Sequence, residues 1–256
     1  MCGRYVATKD ADGLVAFFML DERDPRSRDE RVRWDGPASY NVAPTDQVPA
    51  LVRHDGQLVL TGFRWGLVPF WAEDPKIGAR MINARAETVA TKSAFAESFE
   101  QRRCLLPADG FFEWQKLDGQ RLPWFVHRTD GEPMVFAGIW STWRDRSTSD
   151  GHRLLTCSIL TTDANHTLED VHDRMPVVLE REEWDAWLDP QADPGNLKAL
   201  LDPAPDDAVE RYRVSTRVNS VRTNEPSLLE PVDDESDAAV VGLGHASLDG
   251  QQSLFG

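Results

Sequence analysis

The sequence predicts an α+β domain that is rich in β structure, with antiparallel sheets and a few peripheral helices. Three observations lead there: strand-like runs dominate the first two thirds, Asp-Gly pairs separate two pairs of these runs, and helical patterns are few and short. "ALVRHDGQLVLTGFRW" carries apolar runs on both sides of Asp55-Gly56, and "FFEWQKLDGQRLPWFV" repeats the device at Asp118-Gly119. Each predicts a hairpin, because both central residues of a tight primed turn need positive φ and Asp-Gly supplies it. Further strands are predicted from "PMVFAGIWS", "RLLTCSILTT", "MPVVL" and "RYRVSTRV", each short and rich in β-branched or aromatic residues. Helices are predicted in "GLVAFFML", in "SAFAESFEQR" with Phe95 and Phe99 four apart, in "EREEWDAWL" with Trp184 and Leu188 four apart, and in "NLKALL". The chain shows no internal repeat. The expected organisation is one domain over residues 1–229 followed by an acidic, loosely ordered tail over 230–256.

With 256 residues, 41% of them hydrophobic and nine of them tryptophan, the chain can bury a full core. No run of about 18 apolar residues occurs and the first residues lack a basic, then apolar, export pattern, so a cytoplasmic protein with no membrane contact is expected. The net charge of −15 excludes a general polyanion binder, which needs many cations on one face, so any nucleic-acid contact must be local. The acidity gathers in "DERDPRSRDE" and beyond Arg222, where seven Asp or Glu occur without a Lys or Arg.

The three cysteines, Cys2, Cys104 and Cys157, lack the paired spacing of a zinc or redox motif, and free thiols are expected. Cys104 and Cys157 sit in apolar strand contexts and read as inert core thiols. No metal and no cofactor are expected. Cys2 is different, because removal of Met1, by an aminopeptidase or autocatalytically, is expected to make it the chain terminus. An exposed terminal cysteine holds a primary amine two bonds from a thiol, both partly nucleophilic near neutrality. With an aldehyde, the amine forms a Schiff base and the thiol closes a five-membered thiazolidine ring, favoured because the closure is intramolecular.

"MCGRY", "YNVAPT" (40–45), "RWGLVPFWAED" (64–74), "MINARAET" (81–88), "GFFEW" (110–114) and "VHDRMPVVL" (171–179) follow one another over roughly residues 1 to 225. Together they resemble the SRAP family, the SOS-response-associated peptidases whose members process abasic sites in DNA. The resemblance implies a barrel-like fold and capture of the ring-opened abasic aldehyde, preferentially in single-stranded DNA, by the terminal cysteine as a thiazolidine. Cys2 is then the nucleophile, Asn83 its orienting neighbour, Glu113 the group acting on the α-amine, and His172 the acid or base that helps open the deoxyribose and assists reversal. Taken singly, Glu113 reads as an outward-facing strand residue, His172 as a satisfied polar residue and Asn83 as a turn residue; only the set of four, in its motifs, reverses those readings.

The resemblance further points to Arg4 and Arg85 as phosphate ligands, with Arg174 a weaker candidate and Asn41 and Thr161 as neutral phosphate donors. Trp65, Trp71, Trp114 and Pro44 are candidates for the wedge or stacking surface that single-stranded DNA needs. The partner the resemblance implies is single-stranded DNA containing an abasic site, and a monomer is expected; the resemblance likewise covers no protein partner. It also suggests β-elimination (AP lyase) through the same Schiff base. Two other classes compete: an N-terminal-nucleophile peptidase or amidohydrolase, with the α-amine as base and Asn83 as oxyanion donor, and a non-catalytic single-strand binding module in which the cysteine is incidental.

Overall fold

The computed structural model describes residues 2–20, 32–146 and 151–232. Most of the acidic segment near residues 21–36 and nearly all of the expected tail, from residue 233 onward, lie outside the described residues. Among these residues thirteen strands form: β1 (Arg4–Ala7), β2 (Val32–Arg33), β3 (Ser39–Val42), β4 (Gln47–His54), β5 (Gln57–Trp65), β6 (Asn83–Arg85), β7 (Arg103–Ala108), β8 (Gly110–Leu117), β9 (Gln120–Arg128), β10 (Met134–Arg144), β11 (Arg153–Asp163), β12 (Arg174–Pro176) and β13 (Val209–Arg213).

Both Asp-Gly turns are where the sequence places them. Asp55 (φ 50°) and Gly56 (φ 76°) join β4 to β5, and Asp118 (φ 49°) and Gly119 (φ 79°) join β8 to β9, so each turn has the two positive φ values of a two-residue hairpin loop. One sheet has the order β13-β9-β8-β1-β3. The other runs β12-β11-β10-β7-β4-β5-β2 and closes on itself, because β5 also pairs β11. The ring β5-β4-β7-β10-β11 is thus a five-stranded barrel, which leaves those strands no free edge. The expectation of antiparallel sheets needs one adjustment: β5 and β6 pair β11 in parallel, and β2 pairs β5 in parallel.

β7 is buried along its whole length and Val48–Val52 of β4 are apolar without alternation, because both faces of these strands are covered. Along β4, Val48, Ala50 and Val52 face one core, shared with Tyr5 and Phe111 of the other sheet, while Leu51 faces a second core closed by helices. β7 repeats this, with Cys104, Leu106 and Ala108 on the first side and Leu105 on the second.

Among the described residues, four short α-helices cover the periphery: α1 (Ala11–Phe17), α2 (Ala96–Gln101), α3 (Trp184–Leu188) and α4 (Pro194–Ala199). Helix α1 opens where the Asp10 side chain accepts from Gly13 N–H, the usual satisfaction of an orphan donor at a helix start. "RYRVSTRV" does not remain a strand. It leaves β13 at Arg213, and Ser215 caps a 3₁₀ turn over Thr216–Asn219 by accepting from Arg217 N–H. "MPVVL" contributes only Met175 and Pro176 to the β12 ladder, since Pro176 has no N–H; beyond it Val177 donates to Leu160 O and Leu179 to Val135 O, so the segment crosses from β11 onto β10.

Candidate active site

The site forms where the second sheet meets the barrel. Strand β1 lies between β3 and β8, with Tyr5 opposite both Val42 and Phe111 and Arg4 opposite Phe112, so Cys2 and Gly3 are held at the end of an interior strand. Asn83 opens β6, which runs beside β11 at Ile159. Its Nδ2 donates to the Cys2 carbonyl at 2.7 Å. Glu113 sits on β8 next to Trp114 and is 4% exposed, in contrast to the outward orientation its strand position alone suggests. His172 lies on the loop that enters β12, with its side chain 29% exposed. Gly3, Arg4, Glu113, Trp114, Lys116, Arg121, His172 and Asn219 line an open groove of about 680 Å³ at this point.

Cys2 itself is buried at 0% exposure in the first core, and its Sγ donates to the Arg4 carbonyl at 3.6 Å. This corrects the expectation of an exposed thiol. Burial pushes the thiol pKa far up, and the Glu113 carboxylate adds to the shift by disfavouring a second negative charge. The other two cysteines are also fully buried, and burial raises each of their pKa values.

The His172 imidazole is held below its ordinary value of about 6.5, so at neutral pH it is the uncharged base. Burial is the main cause. Glu113 and Asp173 oppose it, while the positive charges of the amino terminus and Lys116 reinforce it. Nδ1 lies 2.7 Å from Asp173 Oδ1 and also accepts from Arg174 N–H at 3.0 Å. One nitrogen cannot accept from the backbone and donate to the carboxylate at once. The neutral ring with its proton on Nε2 takes the Arg174 N–H, and the protonated ring gives Nδ1–H to Asp173. Asp173→Asn removes the charge that favours the imidazolium, so the His172 titration midpoint is expected to fall further. Proton NMR of the ring across pH 4 to 8, values chosen to span the ordinary midpoint, checks this, and an upward shift contradicts it.

The remaining predicted residues divide into those that reach the surface and those that build the site from beneath. Arg85 is exposed two residues beyond Asn83, Trp71 is 46% exposed beside Phe70 at 49%, and Pro44 and Trp114 are half-buried. Trp114 Nε1 donates to Asn219 Oδ1 at 2.7 Å. Trp65, read as a stacking candidate, is corrected to a core residue: it is 0% exposed and packs edge-on to Tyr5 with ring centroids 5.1 Å apart. Its Nε1 donates at 2.9 Å to the carbonyl of Ile82, which also accepts from Ile159 N–H at 3.0 Å, so Trp65 fixes the residue just before Asn83.

Arg174 is likewise buried at 7%, bonding Glu87, Asp163 Oδ1 at 2.6 Å and the Thr161 carbonyl. Its two Nη groups are committed to joining β12 to β11 and the segment after β6. Thr161 is fully buried, and its carbonyl accepts from Ala86 N–H as well. Asn41, 3% exposed, donates through Nδ2 to the carbonyls of Ser220 at 3.0 Å and Thr223 at 2.8 Å. Arg4 donates to Asn41 Oδ1 at 2.8 Å and to the Val218 carbonyl at 2.9 Å, so both side chains tie the 216–223 segment to the groove. Sequence reasoning missed Lys116, Arg121 and Asn219 as groove residues. A signal for the first two was present, since the Asp118-Gly119 hairpin sets them opposite one another.

Among the described residues, no group of three or more His, Cys, Asp or Glu side chains is placed to hold a metal ion, and no helix is long and apolar enough to cross a membrane.

A closed barrel, a second sheet that buries the amino-terminal strand, and a Cys2 held by Asn83 beside a groove lined by Glu113 and His172 define the class. The chain belongs to the SOS response associated peptidase (SRAP) family, whose model matches residues 1–221. It is 39% identical over 232 residues to the abasic site processing protein YoqW of Bacillus subtilis, covering 90% of this chain and 99% of that protein. It is 32% identical over 235 residues to the abasic site processing protein YedK of Escherichia coli, covering 91% and 100%. A crystal structure of a protein from Bacteroides thetaiotaomicron superposes with a TM-score of 0.76 at 26% identity, over 91% of this chain and all of that one. The barrel-like fold implied by the sequence motifs is therefore the fold of this chain.

Proposed function

We propose that this protein captures abasic sites in single-stranded DNA as a thiazolidine on Cys2, once Met1 has been removed, and so shields the lesion. The observation that carries the reading is the clamp on Cys2: Asn83 holds its carbonyl at 2.7 Å while Glu113 and His172 line the adjoining groove. The names of the relatives, abasic site processing proteins, supply the substrate class.

The chemistry follows from the electrostatics. The freed α-amine, with an ordinary pKa of about 7.7–8.0, attacks the aldehyde carbon of the ring-opened sugar, and loss of one water leaves an imine. The thiol then adds across the C=N bond: sulfur bonds to carbon and the proton goes to nitrogen, with no change of oxidation state. A thiol raised by burial and by Glu113 is a poor free thiolate, so amine-first order is the one this site favours. The same property weighs against direct thiolate attack on an amide, the peptidase reading. Glu113 accepts protons from the amine, and His172, uncharged at neutral pH, exchanges a proton with the sugar oxygen during ring opening and reversal. The imine also stands ready for β-elimination, giving AP lyase activity through the same intermediate.

Covalent trapping accounts for an acidic protein acting on DNA. Few phosphate contacts mean modest reversible affinity, but the thiazolidine retains each productive encounter. Incubation with a single strand carrying one abasic site is expected to give a slower band on a denaturing gel, and an undamaged strand none. Intact mass of the purified protein should lack Met1. Absence of a band from protein that begins at Cys2 overturns the proposal, as does equal retention of undamaged strands.

A further inference from the structure

We propose that the outer end of the β8–β9 hairpin, through Lys116 and Arg121, is a phosphate-binding arm that grips the strand flanking the lesion. Lys116 and Arg121 are directly opposite in the ladder, and Trp114 projects from the same face two residues inward. Like charges directly opposite destabilise a strand pair, so this rung breaks a local rule of sheet construction. Such breaks are expected where a ligand supplies the missing counter-charge.

The surroundings sharpen the point. Neither cation forms an ion pair among the described residues, although the chain carries a net charge of −15. By contrast Arg53, Arg102, Arg128, Arg174 and Arg211 are each paired with a carboxylate, and Arg4 is committed to Asn41 and backbone carbonyls. Both side chains are exposed, and both line the groove that holds Glu113 and His172. The Arg121 guanidinium lies over the Trp114 ring at 5.6 Å, and that ring is in turn fixed by Asn219. Stacking leaves the guanidinium edge free and pre-oriented, the arrangement suited to a phosphodiester oxygen. Lys116 is close enough to the reaction centre that its charge is felt at His172. The hairpin therefore extends the groove outward from the catalytic residues, on a different element from Arg85 of β6, and gives the bound strand a defined exit.

The inference rests on the nucleic-acid part of the function proposed above but not on its covalent step, and the test separates them. In a Cys2→Ala background, which cannot close a thiazolidine, reversible binding of a labelled single strand containing a tetrahydrofuran abasic analogue is measured by fluorescence anisotropy from about 50 to 200 mM salt. Each phosphate contact on a single strand contributes about 0.7 to the slope of log K against log salt. Lys116→Gln and Arg121→Gln are each expected to reduce the slope by about 0.7, and the pair by about 1.4, a roughly sevenfold weaker dependence over that fourfold range. Lys9→Gln/Lys198→Gln, which removes the same charge away from the groove, is expected to keep the parental slope. The proposal is overturned by a slope unaltered in the Lys116→Gln/Arg121→Gln protein, by an equal change in the distant control, or by absence of binding in the Cys2→Ala parent. The denaturing gel on the unsubstituted protein reports on the covalent chemistry separately.

Discussion

Cys2→Ala is expected to abolish the adduct that survives a denaturing gel, a loss of about a hundredfold or more, while leaving an adduct that borohydride can trap. Alanine is also small, so on the proposed chemistry Met1 is still removed and a free α-amine still meets the aldehyde. The imine therefore forms. What disappears is the intramolecular thiol, whose effective concentration in a well-oriented ring closure is on the order of 10⁵–10⁸ M. Without it the imine returns to aldehyde by hydrolysis or proceeds to β-elimination. Asn83 still holds the residue-2 carbonyl, because that contact is to the backbone. The measurement compares gels run with and without borohydride. A stable, untreated adduct in Cys2→Ala would place the nucleophile elsewhere.

Gly66→Ala is expected to destabilise the protein by about 3–5 kcal/mol, from a strained φ and a backbone collision acting together. Gly66 has φ of 128°, and an added Cβ would stand 2.5 Å from the carbonyl oxygen of Gly78 and 2.9 Å from its carbon. The reverse also holds: a Cβ on Gly78 would meet the Gly66 oxygen at 2.5 Å. Two backbones cross there with no room for a side chain on either. Gly66 N–H donates to Cys157 O at 2.8 Å and Leu67 N–H to Met81 O at 3.0 Å, so the crossing connects the end of β5 to the segment that delivers Asn83. The thermal midpoint is expected to fall by on the order of 10 °C, with slower adduct formation in whatever remains folded. A midpoint close to the parental value would mean that the crossing relaxes more easily than its geometry indicates.

The parts of the fold that were legible in the sequence are those set by local chemistry. Asp55-Gly56 and Asp118-Gly119 define their turns by φ alone, and the adjoining strands follow. The closure of the barrel was not legible from residue pattern, because the β5–β11 contact joins Trp65 to Cys157 and no local signal encodes a pairing at that separation. For the site, the motifs pointed to Asn83, Glu113 and His172, but not to which side of the chain each tryptophan faces. Trp65 and Trp114 are both strand aromatics in recognisable motifs, yet one fills the core behind Asn83 and the other borders the groove. Arg174 and Asn41 misled for a related reason. A cation or amide in a motif is as useful for tying backbone carbonyls together as for meeting phosphate, and only their burial separates the two uses.

The interior position of β1 has a consequence in time. The first strand to be synthesised has its partner on one side in β3, close behind it, but on the other side in β8, roughly a hundred residues later, which is about 5–20 s of translation. Glu113 arrives with β8, and His172 later still. Cys2 therefore emerges long before the groups proposed to activate it, and the site proposed here is assembled only when the sheet closes over β1.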